Sequence, residues 1–225
     1  MSEIQLLSIQ VGLPQVWATS DVTGSGPVTW TTAFLKQPAT GLVWVGKTNI
    51  DGDQAGAKTH GGPEKVVCVY PWEHYSYWQR EMDLPALTYG AFAENFTVRG
   101  QLEYQACIGD TFRIGEVDLQ ISQPRPPCWR LARWWQRKDF AARMEETGRT
   151  GWYCRVMKEG YVEAGMGVET IERPYPEWTI SLANHLLYGS KSDLDRMEAL
   201  ASCGLLSDSW REILLVRKAK LKRAD

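Results

Sequence analysis

Up to Pro174-Tyr175-Pro176 the chain is written in short apolar runs separated by glycine and proline; beyond that point no proline appears and the pattern turns helical. This switch constrains the fold more than any other feature. Many short strands with turn signals between them have to pair into a sheet that closes or doubles over, because a flat open sheet leaves apolar faces and edges in water. The chain therefore reads as mainly β with α: a β-barrel or sandwich over residues 1–173, then a small three-helix part over residues 174–225.

The individual runs support this. Residues 4–11 are apolar on both faces, as in a strand covered on two sides. Residues 28–34 alternate, with Val28, Trp30 and Phe34 on one face, Thr29 and Thr31 on the other, and Thr32 as the exception. Residues 42–45 and 66–70 read as short buried strands. Pro71 then opens a helix, in the position proline tolerates best, with Trp72, Tyr75, Trp78 and Met82 along one stripe. Residues 109–121 read as a hairpin about Gly115-Glu116. Residues 129–144 have helical composition, with Gly148 as the stop, and residues 152–157 and 168–171 are two further strands. In the tail, Thr179, Ser192 and Ser207-Asp208 are the expected caps of three helices.

Charge and cysteine usage exclude several function classes. A net charge of −2 over 225 residues argues against broad, stable nucleic-acid binding. The basic run Arg217, Lys218, Lys220, Lys222 and Arg223 reads as a solvated helix end that complements the dipole. No apolar run reaches membrane-spanning length, and Met1-Ser2-Glu3 does not begin a secretory signal. Five scattered cysteines without a C-x-x-C pair fit a reducing cytoplasm and no standard zinc site. His60, His74 and His185 are too dispersed for a histidine metal site, and His74 reads as a packing or capping residue.

One stretch stands apart. Gln123-Pro124-Arg125-Pro126-Pro127-Cys128-Trp129 follows a strand and precedes a helical segment, and its three prolines make a stiff turn that cannot join a ladder. It delivers Cys128 to the first turn of a helix, where free N–H groups and the dipole favour a thiolate, with Arg125 close in sequence. Such a thiol suits chemistry or a soft metal; the competing reading is a buried cysteine packing as a small hydrophobe. Three other places supply polar partners. Residues 51–65 form a long glycine-rich loop carrying His60 and Lys65, which matches neither a calcium loop nor a phosphate loop. Asn95 can bind a ligand through both ends of its amide or close an Asx turn. Arg155 faces away from Trp152, Cys154 and Val156, where it can meet an anion. A thiolate among cations favours a soft metal with an anionic cofactor.

Taken together, His60-Gly61-Gly62-Pro63-Glu64-Lys65, Tyr70 with Glu73-His74-Tyr75, Gly90 with Glu94-Asn95-Phe96, Gly109-Asp110, Ser122-Gln123-Pro124-Arg125-x-Pro127-Cys128 and Thr147-Gly148-Arg149-x-Gly151-Trp152 resemble the MOSC-domain proteins. The resemblance is nearest to the YiiM group, which adds a C-terminal three-helix domain. It implies a MOSC-type β-barrel that binds molybdenum cofactor (molybdopterin) or handles molybdenum–sulfur chemistry. It also implies an enzyme that reduces N-hydroxylated compounds, in the detoxification of hydroxylaminopurine-type base analogues. Carried over, Cys128 becomes the metal ligand and Arg125 holds the elbow and its charge. Lys65, Arg149 and Arg155 are expected at the cofactor's phosphate, and His60 and Asn95 at substrate or cofactor, His60 as a proton source. Pyridoxal phosphate belongs to a separate domain of fusion relatives and is not expected here. Without a flavin or iron–sulfur motif, electrons are expected from a partner reductase, and a homodimer is compatible with the aromatic supply. Two rival readings remain: Cys128 as a persulfide carrier for metal–sulfur assembly, and a non-enzymatic module that binds a cofactor or a partner.

Overall fold

The computed structural model describes residues 3–20, 27–56, 61–84, 87–189 and 193–223. Its centre is a closed barrel of seven strands. In spatial order these are β12 (Gly167–Glu172), β8 (Thr111–Ile114), β9 (Val117–Pro124), β10 (Trp152–Lys158), β6 (Val67–Pro71), β7 (Phe96–Arg99) and β1 (Ile4–Val11). β1 returns to β12 through Ile4 opposite Val168 and Gln5 opposite Gly167, which removes the free edges. A two-residue strand, β4 (Gln37–Pro38), adds to the far end of β1. Hairpin β2 (Gln15–Ser20) and β3 (Pro27–Thr32) stands outside the barrel, as does the pair β5 (Val43–Val45) and β11 (Gly160–Val162).

Every barrel pairing is antiparallel except β6 with β7, where Val69 lies opposite Phe96. A parallel neighbour cannot be reached by a tight turn, so the chain makes a long crossover. The crossover holds a 3-10 turn (Trp72–His74) and α1 (Tyr75–Glu81). A second excursion, between β9 and β10, holds α2 (Trp129–Trp135) and α3 (Phe140–Thr147). The two excursions pack on each other and create a second core of Tyr70, Tyr75, Trp78, Phe92, Leu131, Phe140 and Met144. Trp78 stacks on Phe140 with centroids 5.0 Å apart, and Tyr70 on Phe92 at 4.2 Å. Ring pairs of this kind add about 1 kcal/mol each beyond the area they bury.

The tail forms α4 (Ile180–Tyr188), α5 (Leu194–Ala201) and α6 (Asp208–Leu221). The main barrel core continues without a break into Ile180, Leu186, Met197, Leu200, Trp210 and Leu214. The boundary at residue 173 is thus a change of secondary structure that the apolar core crosses.

Several expectations shift. The strand through residues 28–34 ends at Thr32, and Thr32 is buried on the same side as Trp30, its hydroxyl accepting from Phe34 N–H at 3.0 Å, so it breaks no alternation. The prolines do not end the ladder: Pro124 lies opposite Trp152, and Arg125 N–H donates to Gly151 O at 3.1 Å. A missing N–H costs nothing at a position whose donor would not point to the neighbour. The helix over residues 129–144 is two helices, because Gln136 takes a left-handed φ of 53° and caps the first. Pro71 closes β6 and caps the 3-10 turn, one place before the first helical residue. Ser192 lies outside the described residues; Asp193 caps α5, its carboxylate accepting from Asp195 and Arg196 N–H at 3.0 Å. Thr179 and Ser207 cap α4 and α6 as expected. Among the described residues no helix is long and apolar enough to cross a membrane.

Candidate functional site

The elbow after β9 opens into a cavity of about 470 Å³. Cys128 sits at its wall as the N-cap of α2, in extended conformation (φ −122°, ψ 135°), half-buried. Pro126 and Pro127 line the cavity beside it, and Trp129, Arg130 and Leu131 continue the wall into α2. The other four cysteines are buried thiols. Cys68 on β6 also reaches this cavity; burial pushes its thiol above the ordinary value, with Arg125 pulling the other way.

Among the described residues four cations share the lining: Lys36, Lys65, Arg125 and Arg130. Arg125 is nearly fully buried. Its Nη2 donates to Phe92 O at 2.5 Å, while Nη1 is buried with no hydrogen-bond partner among the described residues. Burial works against its charge, with buried Glu94 on the other side of the balance, and a guanidinium is not deprotonated in proteins, so Arg125 stays cationic. A buried guanidinium with an unused N–H beside a cavity is the signature of a missing acceptor. Burial also raises the Tyr153 phenol, which lines the cavity and feels Cys68, Arg125 and Cys128. Lys36 pairs with Asp53. Asp53 also accepts from Gly12 N–H and from Asn95 Nδ2, both at 2.8 Å, so the loop after β5 is strapped to the barrel.

The expected site residues divide. Cys128, Arg125, Lys65 and Asn95 meet at the cavity. The Asn95 amide is already engaged: Oδ1 accepts from Cys68 N–H at 3.0 Å, and Nδ2 donates to Asp53 and to Gln10 O. Its amide ties β6 and β1 to the loop that carries Asp53. Arg155 and Arg149 lie outside the cavity lining. Arg155 forms an ion pair with Glu64 and donates to Gln120 Oε1 at 2.8 Å and Leu205 O at 2.9 Å. The Arg149 guanidinium sits 3.9 Å over the Tyr77 ring. His60 lies outside the described residues, although Gly56 and Gly61 on either side line the cavity. His74 packs as expected, its Nε2 2.7 Å from Glu103 Oε2.

Much of the motif set around the site is scaffold. Buried Glu94 accepts from Tyr75 O–H, from Gly90 and Phe92 N–H at 2.9 and 3.0 Å, and from Thr97 at 2.9 Å. Gly151 has φ +67°, and a Cβ there would lie 2.3 Å from Val69 O. Only glycine combines that dihedral with that approach. Sequence reasoning missed Lys36, Tyr153, Arg130, Ser209 and Ile213. No local pattern marks them, since they reach the cavity from four separate places, the segment after β3, β10, α2 and α6.

Among the described residues no three His, Cys, Asp or Glu side chains group as a metal site. A model of the MOSC domain family matches residues 56–169, and a model of the YiiM-like 3-alpha helix domain matches residues 178–221. The uncharacterized protein YflK of Bacillus subtilis is 39% identical over 217 residues, 96% of this chain and 95% of its own length. A Gibberella moniliformis protein named as a reductase is 35% identical over 153 residues, which are 67% of this chain and 27% of that protein. The crystal structure of YiiM from Geobacillus stearothermophilus superimposes with a TM-score of 0.77 at 34% identity, covering 96% of this chain and 99% of that one.

Proposed function

Because the chain belongs to the MOSC-domain family, in its YiiM group, we propose that the cavity binds a molybdenum–pterin cofactor through Cys128 and that the protein reduces N-hydroxylated compounds. One observation carries this reading: a half-buried thiol and four cations share one cavity, and one of those cations is buried with an unused donor. The residues fit the group. A thiolate is the soft donor that a soft metal prefers, and guanidinium and ammonium groups suit a phosphate. The reductase name of the longer fungal relative supports the reaction class.

In this reading Cys128 would hold the metal, and the stiff elbow fixes where its sulfur points. Arg125 would offer Nη1 to the cofactor's phosphate, with Lys65 and Arg130 adding charge around it, while Lys36 is balanced by Asp53. Arg155 acts at one remove, by fixing the loop of Glu64 and Lys65 beside the cavity, and Arg149 packs over Tyr77 of α1. When bound, the cofactor supplies the two electrons that cleave the N–O bond, and a partner reductase replaces them. Two protons complete the conversion of N–OH to N–H and water, and His60 is the proposed source. The substrates are N-hydroxylated base analogues, and the compartment is the cytoplasm. The test is Cys128→Ser: the variant is expected to purify without molybdenum and pterin and to lose N-hydroxyl reduction. Full molybdenum content with a wild-type rate would overturn the reading.

A further inference from the structure

The barrel does not build the whole cavity wall. Ser209 and Ile213, one turn apart on α6 and so on one face, line it together with Trp129 and Arg130. The start of α6 is bonded to the strand that leads into the elbow. Ser207 and Ser209 both donate their hydroxyls to Gln123 Oε1, at 2.8 and 3.0 Å, and Ser207 N–H donates to Ser122 O at 2.9 Å. Arg155 adds its bond to Leu205 O just before the helix. The position of α6 is thereby tied to residues 122 and 123, five or six places before Cys128. Trp210 and Leu214 on the same helix are fully buried, whereas Ile213 is 41% exposed. Core packing therefore does not account for the isoleucine, but a cavity mouth does.

The chemistry of the lining is divided. Lys36, Lys65 and Arg125 provide the charge; Pro127, Trp129 and Ile213 provide apolar surface. A small polar substrate gains nothing from that surface, while a flat, mostly apolar body can cover it. We infer that α6 is part of the substrate site: Ile213 is a specificity-determining residue that favours N-hydroxylated substrates with a flat heteroaromatic body over small ones, and Ser209 holds that wall to the Gln123 strand. The identity of the reacting group rests on the reading above; the wall itself does not.

The experiment compares kcat/KM for an N-hydroxylated purine and for N-hydroxyurea in the wild type, Ile213→Ala and Val216→Ala, using cofactor-loaded protein. In parallel, binding of the purine to metal-free protein is measured by calorimetry. Trimming an aliphatic wall by a few carbons shifts selectivity by about tenfold. Ile213→Ala is therefore expected to lower the purine/N-hydroxyurea ratio about tenfold, chiefly through KM, and to weaken purine binding to metal-free protein by a similar factor. Val216→Ala, exposed on the same helix, is expected to change neither quantity. If wild-type protein reduces neither substrate but Ile213→Ala still weakens binding, the wall stands and the reductase reading falls. If reduction is present and Ile213→Ala leaves both ratio and binding unchanged, the inference is overturned.

Discussion

Gly148 and Gly151 form a matched pair that tests how closely the chain before β10 must approach β6. Both have φ of +67°, but a Cβ on Gly148 meets nothing within 4 Å, whereas one on Gly151 lies 2.3 Å from Val69 O and 2.9 Å from Tyr70 Cδ2. Alanine at either place bears the left-handed penalty of about 1–2 kcal/mol, partly offset by the reduced entropy of the unfolded chain. Gly148→Ala should therefore cost about 1 kcal/mol. Gly151→Ala must in addition move strand β6 or β10, an overpacking cost of about 1–3 kcal/mol, for a total of about 2–4 kcal/mol. It also strains the bonds on either side of that residue, Gly151 N–H to Glu103 at 2.9 Å and Arg125 N–H to Gly151 O. In a chain of this length each kcal/mol lowers Tm by about 2–4 °C. Thermal unfolding of metal-free protein should show losses of about 3 °C for Gly148→Ala and about 6–12 °C for Gly151→Ala. Equal losses in the two variants would refute the steric argument and leave only the dihedral one.

Three further outcomes are expected. Native protein treated with iodoacetamide should be labelled first at Cys128, because the other thiols are buried and burial, then Asp110, holds Cys107 up to about 11; mass spectrometry finding Cys68 or Cys154 labelled as fast would contradict this. Arg155→Ala should lose about 2 kcal/mol in urea unfolding, having lost several charge-assisted hydrogen bonds, while retaining cofactor; Arg125→Gln should release cofactor. Cofactor lost from Arg155→Ala at unchanged stability would return that arginine to the phosphate. The fork from Arg113 to Asp118, at 2.8 and 3.0 Å across the β8–β9 hairpin, holds the Asp118 carboxyl below its ordinary pKa. Its folded pKa lies below its unfolded one, so its contribution is present above the ordinary carboxylate range and disappears as pH falls through the depressed value. The stability gap between wild type and Asp118→Asn should therefore be open at neutral pH and close as pH falls through the depressed value; a gap that stays constant would refute the pairing.

Most barrel strands were legible in the sequence because burial on one or two faces writes itself as periodicity: residues 4–11, the 109–121 hairpin and the alternation from Trp152 to Val156 needed no partner to be recognised. The strands that escaped, Gln15–Ser20, Gln37–Pro38 and Gly160–Val162, are strands only by virtue of their partners, β3, β1 and β5. The split at Gln136 escaped because a left-handed residue other than glycine carries no composition signal. Within the site, Cys128 and Arg125 were legible since a proline-fixed elbow is a local device. Arg155 was misleading: alternation gave its direction correctly, but what waits on that side, Glu64 and Leu205, is set by a loop and by the α5–α6 connection.

The sequence by itself determined a mainly β body, barrel or sandwich, the helical tail and the thiol on its stiff turn, because each depends on local stereochemistry and on the period of apolar residues. Tertiary structure alone decided which distant groups face that thiol. Lys36 and Lys65 come from other parts of the chain to join Arg125 and Arg130, which flank the thiol in sequence, and Ser209 and Ile213 arrive from α6. Those distances are fixed only when the barrel closes and one continuous core draws the tail against it. Chain order carries no record of such proximity.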